Sequence, residues 1–403
     1  MTPKLDSTAT AKVMEVLSEN GIEGMSQVFA TLLNEVMKVE RSAALGAQPY
    51  ERTSERKGYA NGFKSKTVLT RCGKLRLEVP QARGLSFYPK SLTKGCRSEK
   101  ALKLAIAEMY VNGVSTRRVA EITEELCGHR VSSTQVSRIS KVLDEEIQHF
   151  RNRQLGYFPY VYLDARYERI RHGGYVRDFA ILIATGINDD GKREVLGFSV
   201  ALSEAKTHWK EFLQSLAKRK LYGVEYIVSD DHQGLRQARL EVFPDAHWQR
   251  CQFHYAQNAL HYAPTKAMRS EIANAVRDIF NAGSLKDSRR KAKEVVAQFE
   301  DDAPAFAKWL ELTVEETFAV YSVPRKYRIK LRTVNPLENL NREIKRRTYL
   351  VSVFPNTESC VRLIGAILME VHEEWISDPR GYINMLDKRN EDVEKRTQHI
   401  LQN

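Results

Sequence analysis

The sequence predicts an α/β protein in which helices cover a mixed β-sheet and a mainly helical region precedes that sheet. Three observations lead to this fold class. Apolar residues recur at helical spacing through residues 10–45 and again from about Glu99. Three strand-like runs separated by Gly, Asn and Asp clusters follow Tyr157. Strands then alternate with amphipathic helices before a long helical stretch.

Composition limits the possible partners and compartments. The 403-residue chain is long enough for roughly two to four compact units. Its formal net charge of +12 indicates a polyanionic partner, and nucleic acid fits that charge better than a membrane does. The sequence contains no run of about 18 apolar residues, so it predicts no membrane-spanning helix. The N-terminus also lacks the hydrophobic run of a secretory signal. Scattered cysteines, odd in number, argue against a disulfide framework and favour the cytoplasm: Cys72, Cys96, Cys127, Cys251 and Cys360.

The first hundred residues predict helices followed by a β-hairpin. Apolar residues recur at helical spacing through residues 10–45, which predicts that they share the buried faces of helices: Val13, Val16, Leu17, Phe29, Leu32, Leu33 and Val36. Residues 50–66, "YERTSERKGYANGFKSK", are polar and basic and contain glycine, which predicts a linker or loop. "TVLTRCGKLRLEVPQ" alternates around Gly73 and predicts a hairpin.

Residues 114–143 fit two short helices around a tight turn. In "VSTRRVAEITEEL", Val119, Ile122 and Leu126 share one helical face, and Gly128 is a predicted helix stop. "SSTQVSRISKVL" restarts behind a serine cap, with Val136, Ile139 and Leu143 directed inward. Small polar and basic side chains are directed outward: Thr134, Gln135, Ser137, Arg138 and Lys141. The pattern is typical of a DNA-binding helix-turn-helix and equally of an ordinary helical hairpin, so both interpretations stay open.

The region after Tyr157 predicts the sheet and its covering helices. "PYVYLDARYERIR", "RDFAILIATGIN" and "REVLGFSVAL" are the first three strands, "VEYIVSD" is a fourth and "HWQRCQFH" a fifth. An amphipathic helix after the third strand buries Trp209, Phe212, Leu213 and Leu216. Residues 255–325 are predicted to be helical with the stripe Met268, Ile272, Val276, Ile279 and Phe280. A closing helix begins at "NPLENLNREIKRR", and further helices end the chain.

Three acids occupy positions that are unusual for their residue type. In the first strand, Asp164 shares a face with Tyr160, Tyr162 and Arg166, although Asp is depleted in strands. Asp230 ends the apolar run of the fourth strand, where open α/β sheets assemble sites. Glu338 lies in the first turn of the closing helix, on a polar face with Asn341, Arg342 and Lys345.

Carboxylates gathered in one place repel each other unless divalent cations neutralise them. Oxygen ligands of this kind suit Mg²⁺ or Mn²⁺, and two such ions support in-line phosphodiester displacement. The hypothesis is therefore that Asp164 binds metal and that neighbouring arginines such as Arg166 bind phosphate.

Structural roles remain open for each acid. Asp164 could pair with Arg166 or Arg169, and Asp230 or Asp231 could cap the next helix. "NPLE" has the pattern of a capping box, so spacing alone favours a structural role for Glu338 and leaves the aspartates undecided.

Several segments resemble the bacterial Mutator-type insertion-sequence transposases. "DDHQGLRQARLEVFPDAHWQRCQFH" is similar to the hallmark of that family, "VNPLENLNREIKRRT" to its acidic-helix motif and "YLDARYERIR" to its first-aspartate strand. "MYVNGVSTRRVAEI" resembles the stretch ahead of the catalytic core. The resemblance extends from about residue 55 onward and is weakest in the first 50. The hallmark positions matched are Asp230, Gly234, Leu235, Val242, Phe243, Pro244, Ala246, Gln249, Cys251 and His254.

This resemblance implies a ribonuclease H-like core with a helical insertion and a DDE triad of Asp164, Asp230 and Glu338. The Asp-x-x-x-Gly spacing to Gly234 selects Asp230, which leaves Asp231 as a helix cap or an outer acid. The resemblance implies these domains: an N-terminal helical region (1–50), a linker and β-hairpin (51–98), a helix-turn-helix DNA-binding region (99–153), the first part of the catalytic core (154–254), the helical insertion (255–330), and the closing helix with C-terminal helices (331–403).

Cys251 and His254 match the family's C-x-x-H element, which implies that His254 lies near the acids with Cys251 packed behind it. A zinc site with His247 as third ligand is the less favoured alternative, since zinc needs a further ligand. Both residues could also be core residues of the fifth strand. Trp309 is interpreted as a residue that anchors its helix in the apolar core. The alternative is that its ring stacks on a DNA base displaced at the transposon end.

The implied function is a DNA transposase in the bacterial cytoplasm, associated with the nucleoid. It would bind the terminal inverted repeats of its element as a homodimer or larger homo-oligomer. It would nick the element end and join the freed 3′-hydroxyl to target DNA, using two Mg²⁺ or Mn²⁺ ions with assistance from His254. The expected DNA-binding residues are Arg117, Arg118, Ser133, Thr134, Gln135, Arg138, Lys141, Arg166, Arg342, Lys345, Arg346 and Arg347.

Three alternatives remain. Lys345, Arg346 and Arg347 could be a solvated basic face rather than a phosphate clamp. The chain could be a DNA-binding regulator derived from a transposase, although such a regulator would not need all three acids. It could also be a ribonuclease H-like nuclease, although compact nucleases of that class have no place for the long helical insertion.

Overall fold

The computed structural model describes residues 7–92, 94, 98, 100–141, 143–349 and 351–385. The chain divides into two compact units, Met1–Val142 and Leu143–Asn403. Each unit is described by itself.

The first unit begins with two helices. α1 spans Ser7–Asn20, a short 3₁₀ segment spans Gly21–Gly24, and α2 spans Met25–Leu45. These confirm the predicted N-terminal helices but not their whole buried face, because Phe29 and Val36 are exposed. The β-hairpin covers only the stripe of α2 that contains Leu33 and Met37, and the neighbouring apolar stripe is left outside.

The β-hairpin consists of β1 (Tyr59–Thr70) and β2 (Gly73–Arg83), which pair antiparallel from Thr70↔Gly73 to Tyr59↔Arg83. Its turn lies at the predicted place, and Gly73 has φ +111°, a conformation that favours glycine. Half of the expected 50–66 linker is instead strand, because β1 already begins at Tyr59. Alternate β2 residues pack on α2: Leu75, Leu77 and Val79.

Three helices complete the first unit: α3 (Lys100–Val111), α4 (Thr116–Cys127) and α5 (Ser133–Ser140). Gly128 ends α4 with φ +62°, as predicted. Leu126 is 76% exposed, so the predicted inward face of α4 is wrong at its last turn, and the helix buries Val119, Ala120 and Thr123 instead. The inward face of α5 ends at Ser140, because Leu143 begins the next helix, α6 (Leu143–Asn152).

The second unit contains the predicted mixed sheet. Its strands are β3 (Tyr160–His172), β4 (Tyr175–Ile187), β5 (Arg193–Ala201), β6 (Tyr226–Ser229) and β7 (His247–Arg250). Their order is β5-β4-β3-β6-β7. β3, β4 and β5 are antiparallel, and β6 and β7 run parallel to β3.

Helices cover both faces of this sheet. α7 (Lys206–Lys218) and α8 (Gln233–Val242) pack on the face that contains Val161 and Leu163. The predicted apolar face of α7 is confirmed, since Trp209, Phe212, Leu213 and Leu216 are all buried. α14 (Asn335–Thr348) and α15 (Thr357–Ser377) lie against β3, and α15 also lies against β5.

The predicted helical stretch between β7 and α14 forms its own apolar cluster. It comprises α9 (Gln252–Ala259), α10 (Met268–Phe280), α11 (Leu285–Phe299), α12 (Pro304–Thr313) and α13 (Arg325–Leu331), with short 3₁₀ segments between them. The predicted stripe on α10 is confirmed: Ile272, Val276 and Ile279 are buried, and Met268 and Phe280 pack against the cluster.

Among the described residues, Cys72, Cys251 and Cys360 carry free thiols, and Cys96 lies outside those residues. No helix in the described part of the chain is long and apolar enough to span a bilayer. The helices expected beyond residue 385 also fall outside the described residues.

Candidate active site

The first two acids are brought together by the register of two parallel strands. β3 pairs with β6 through Tyr160↔Tyr226, Val161↔Ile227 and Tyr162↔Val228. Continuing that register by two residues sets Asp164 level with Asp230, which follows the last residue of β6. Neighbouring strands lie about 4.8 Å apart, so the sheet itself holds these two carboxylates side by side. The predicted face of β3 is confirmed: the Tyr162 hydroxyl and the Arg166 guanidinium donate to Lys330 and Asn341 carbonyls, away from the α7–α8 side.

Asp164 is held by two hydrogen bonds. Its Oδ1 accepts from the Ala165 backbone N–H at 2.9 Å, and its Oδ2 accepts from Asn341 Nδ2 of α14 at 2.7 Å. Its pKa rises to about 7, mainly because of burial, and the negative charges of Asp230 and Glu204 act in the same direction. The Ala165 hydrogen bond and His254 oppose that rise. A carboxyl group with a pKa this high indicates a desolvated place that also lies near other acids.

Glu338 does not cap the helix that carries it. The N-cap of α14 is Val334, no side chain caps the helix, and Glu338 Oε1 is buried without a hydrogen-bond partner among the described residues. The capping-box alternative is therefore wrong. Local sequence suggested it, but the residues before α14 are fixed by tertiary hydrogen bonds: Gln252 N–H donates to the Arg332 carbonyl at 2.9 Å.

His254 lies between the second and third acids. Its Nδ1 is 3.8 Å from Asp230 Oδ2, and its Nε2 is 3.7 Å from Glu338 Oε1. It belongs to α9 and not to the fifth strand, which ends at Arg250, so the alternative of a core strand residue is wrong. The resemblance-based expectation that His254 is near the acids agrees with these distances.

Cys251 connects the acidic centre to the start of α14. Its buried thiol accepts a hydrogen bond from Val334 N–H at 3.4 Å, and burial raises the pKa of the thiol to about 12. A neutral, engaged thiol is a packing group, as expected. The zinc alternative is not supported, because His247 lies exposed at the start of β7 and His254 lies with the acids.

The three acids surround His254 and do not form a tight cluster. Among the described residues, no group of three or more His, Cys, Asp or Glu side chains is placed to hold a metal ion. Asp164, Asp230 and Glu338 nevertheless supply the hard oxygen donors that a divalent cation prefers. One of these acids has a strongly raised pKa, and another has a buried oxygen without a partner. The donor set therefore fits Mg²⁺ or Mn²⁺ in its chemistry.

Asp231 belongs to a different, compensated group. Its carboxylate pairs with Arg236 at 3.1 Å and with Arg250 at 3.0 Å. α8 begins after His232 without a side-chain cap, so the helix-cap interpretation of Asp231 is wrong. Arg250 is 3% exposed and also pairs with Glu316 of the helical insertion at 2.9 Å.

Trp309 is a helix anchor, as preferred from the sequence. Its ring stacks on Tyr255 at 4.4 Å and on Tyr262 at 5.0 Å, and the Arg250 guanidinium lies 5.7 Å from its centre. Sequence reasoning missed Arg250 and the role of Asn341 as the partner of Asp164. The signal available for Arg250 was a charged residue at the end of a short predicted strand, because a charged side chain is seldom fully buried unless it is paired.

The basic residues predicted to bind DNA in this unit fall into two classes. Arg166 pairs with Glu168 at 2.5 Å, and Arg347 is 6% exposed and pairs with Glu343 and Glu370. Both form ion pairs within the protein, and their assignment as phosphate ligands stays a prediction. Three others remain at the surface of α14: Arg342, Lys345 and Arg346, the last paired with Glu343.

The predicted helix-turn-helix residues lie on α4 and α5 of the first unit. Ser133, Thr134, Arg138 and Lys141 are exposed. Gln135 is exposed but forms a capping box with Ser132, so its Oε1 is engaged with the Ser132 N–H. Arg117 and Arg118 both pair with Glu121.

Comparison with known proteins places these features in a family. The family model described as "Transposase, Mutator family" matches residues 1–378. The transposase for insertion sequence element IS406 of Burkholderia multivorans is 47% identical over 386 residues, covering 95% of this chain and 99% of that protein. The transposase for ISRM5 of Rhizobium meliloti is 44% identical over 96% of this chain and 97% of that protein.

The transposase for IS256 in transposon Tn4001 of Staphylococcus aureus is 36% identical, over 89% of this chain and 92% of that protein. A solved simian T-cell lymphotropic virus intasome in complex with PP2A regulatory subunit B56 gamma aligns at 12% identity with a TM-score of 0.17, covering 54% of this chain and 74% of that chain. That likeness is too weak to carry an argument. The sequence matches are decisive: the chain belongs to the Mutator family of transposases.

Proposed function

We propose that this transposase acts through a DDE triad of Asp164, Asp230 and Glu338 on a ribonuclease H-like core. The observation that carries the proposal is the convergence of the three acids, from β3, from the end of β6 and from α14, around His254. Three antiparallel strands followed by two parallel ones support the core assignment. The insertion of α9 to α13 lies between the second and third acids.

Two Mg²⁺ or Mn²⁺ ions would be held by these three carboxylates. When bound, such ions activate a water or 3′-hydroxyl and stabilise the leaving oxygen of a phosphodiester. The acids themselves support this proposal, because burial and the charge of Asp230 disfavour ionisation of Asp164, and a bound cation would favour it.

The chain's own residues orient the site. Asn341 donates to Asp164 Oδ2 and fixes one carboxylate plane, which couples β3 to α14. The Cys251 thiol and the Gln252 N–H fix the residues that lead into α14 and so set the position of Glu338. From its place between Asp230 and Glu338, His254 can donate a hydrogen bond to a phosphate oxygen or accept one from the attacking hydroxyl.

The DNA substrate would be the terminal inverted repeat of the element and then the target duplex. The exposed side chains of α5, together with Arg117 and Arg118, support recognition of the repeat. Arg342, Lys345 and Arg346 support backbone contact near the acids. A homodimer or larger assembly would pair the two element ends.

The test is strand cleavage of a duplex that carries the element end, with Mg²⁺. Asp230→Asn should lower the nicking rate by at least about 100-fold, because it removes a charge that binds the ions. Asp245→Asn is the matched control, since Asp245 is exposed and lies in the same hallmark segment. Equal nicking by wild type and Asp230→Asn would overturn the catalytic assignment.

A further inference from the structure

The β-hairpin of the first unit has an exposed basic set that the function described so far does not use. Leu75, Leu77 and Val79 of β2 face α2, so the alternating residues Lys74, Arg76 and Glu78 face away from it and are exposed. Across the ladder, Arg76 lies opposite Thr67 and Lys74 opposite Leu69. The two cations therefore project from the same side of one strand, about 7 Å apart.

The charge of this hairpin is strongly one-sided. Residues 57–83 contain seven basic residues, Lys57, Lys64, Lys66, Arg71, Lys74, Arg76 and Arg83, against the single acid Glu78. Glu78 accepts a hydrogen bond from the Ser65 hydroxyl at 2.6 Å. Within the described residues, no carboxylate forms an ion pair with Lys74 or Arg76. A merely solvated face interleaves both signs of charge, as α11 does with Arg290 between Asp287 and Glu294.

The tip of the hairpin is built into the helix-turn-helix. Leu69, opposite Lys74, packs against the apolar cluster of α3, α4 and α5 that contains Val119 and Val136. At the turn, a Cβ on Gly73 would lie 3.7 Å from the Cys127 carbonyl at the end of α4. The basic strand residues therefore continue the surface that presents α4 and α5.

We propose that Lys74 and Arg76 bind the phosphate backbone of the duplex that the helix-turn-helix recognises, as a second DNA-contacting element. The proposal rests on the proposed function, which makes duplex DNA the partner. A DNA strand winds around the helix axis while it rises about 3.4 Å per phosphate, so neighbouring phosphates lie farther apart than that rise, roughly 7 Å. Two cations about 7 Å apart therefore match neighbouring phosphates of one strand. Contacts to phosphate position the protein without reading sequence.

The experiment measures DNA binding by the full-length protein without divalent ions, at a series of salt concentrations. Two duplexes of equal length are compared, one carrying the element end and one of unrelated sequence. Lys74→Ala with Arg76→Ala should lower the slope of log affinity against log salt by about 1.8. Affinity should fall roughly ten-fold or more at 0.1 M salt, equally on both duplexes.

The matched control is Lys286→Ala with Lys293→Ala, which removes the same charge from exposed positions of α11. An equal loss in this control would mean that net charge alone matters and would overturn the proposal, as would an unchanged slope in the hairpin variant. Should the double variant not fold, Lys74→Gln and Arg76→Gln singly should each lower the slope by about 0.9.

Glu78→Gln should strengthen binding, because it removes the one negative charge on this side of the strand. Since the assay contains no divalent ion, a failure here is separate from a failure of the nicking test with Asp230→Asn. A wild-type protein that bound neither duplex would overturn both proposals.

Discussion

Asp230 and Asp231 are neighbours in the chain, yet they belong to opposite electrostatic environments. Asp230 joins Asp164 and Glu338 in a group of acids next to His254, which lies 3.7–3.8 Å from two of them. Asp231 joins Glu316 in a group closed by Arg236 and Arg250. The first group leaves carboxylates uncompensated, which costs stability unless a ligand arrives, and the second compensates each acid inside the protein.

This difference in ion pairing indicates which of the acids could bind a metal ion. A carboxylate that already has guanidinium partners gains little from a cation, whereas a crowded and desolvated one gains much. Substitutions in the acidic centre should therefore change rate and metal-dependent behaviour. Substitutions in the Arg250 network should change stability.

Glu338→Gln should show the largest effect, a loss of about 1000-fold in nicking with unfolding free energy unchanged or slightly raised. The amide removes a negative charge from the acidic centre, and Glu338 caps nothing in α14. Nicking of the element-end duplex and urea unfolding measure the two quantities.

The matched control is Glu343→Gln on the same helix. It breaks the pairs of Glu343 with Arg346 and with the buried Arg347, which hold the pKa of Glu343 down to about 2. It should lower stability and leave the nicking rate near wild type. The opposite outcome, a destabilised but fully active Glu338→Gln, would assign Glu338 to structure.

The pH dependence of stability tests whether Asp164 lies in the uncompensated environment of this comparison. Its pKa of about 7 lies above the ordinary 3.8, so the folded state holds this proton more tightly than the unfolded state. The stability that the folded state gains from this proton is fully present below the ordinary pKa and is lost as the pH rises through about 7. With a chelator present, unfolding free energy should fall by roughly 2 to 3 kcal/mol between about pH 5 and pH 8.

Asp164→Asn cannot ionise and should remove most of this fall, whereas Asp245→Asn should keep it. Urea unfolding at each pH measures the difference. A wild-type protein with no such pH dependence would show that the Asp164 carboxyl ionises as it does in water and is not crowded by the other acids.

The alternation of β3 and the mixed sheet were accessible from the sequence, and so was the placement of Asp164 and Asp230 on that sheet. The side chains of β3 alternate strictly, and two parallel strands end at the same edge. The partners that lie far along the chain were not accessible. The ion pair of Arg347 with Glu370 is an example, because Glu370 lies on α15.

Glu338 illustrates the same limit from the other side. "NPLE" is a strong local capping pattern, but the hydrogen bonds of Cys251 with Val334 and of Gln252 with Arg332 determine how α14 begins. Tertiary contacts therefore overrode a local preference worth only about 1 kcal/mol.

Arg250→Met tests the compensated half of the comparison and should have the smallest of these effects, about 2 kcal/mol of lost stability. Removing the guanidinium leaves Asp231 and Glu316 facing each other, although both are partly exposed and water screens some of that cost. Arg289→Met is the control, because Arg289 pairs with Glu315, next to Glu316, at the surface, where water screens the pair, and its loss should cost measurably less stability than the loss of Arg250. If both variants lost the same stability, the buried ion pairs of Arg250 would contribute no more to stability than a surface pair does. If Arg250→Met kept its stability but lost nicking, the network would belong to the active centre and the contrast between Asp230 and Asp231 would be wrong.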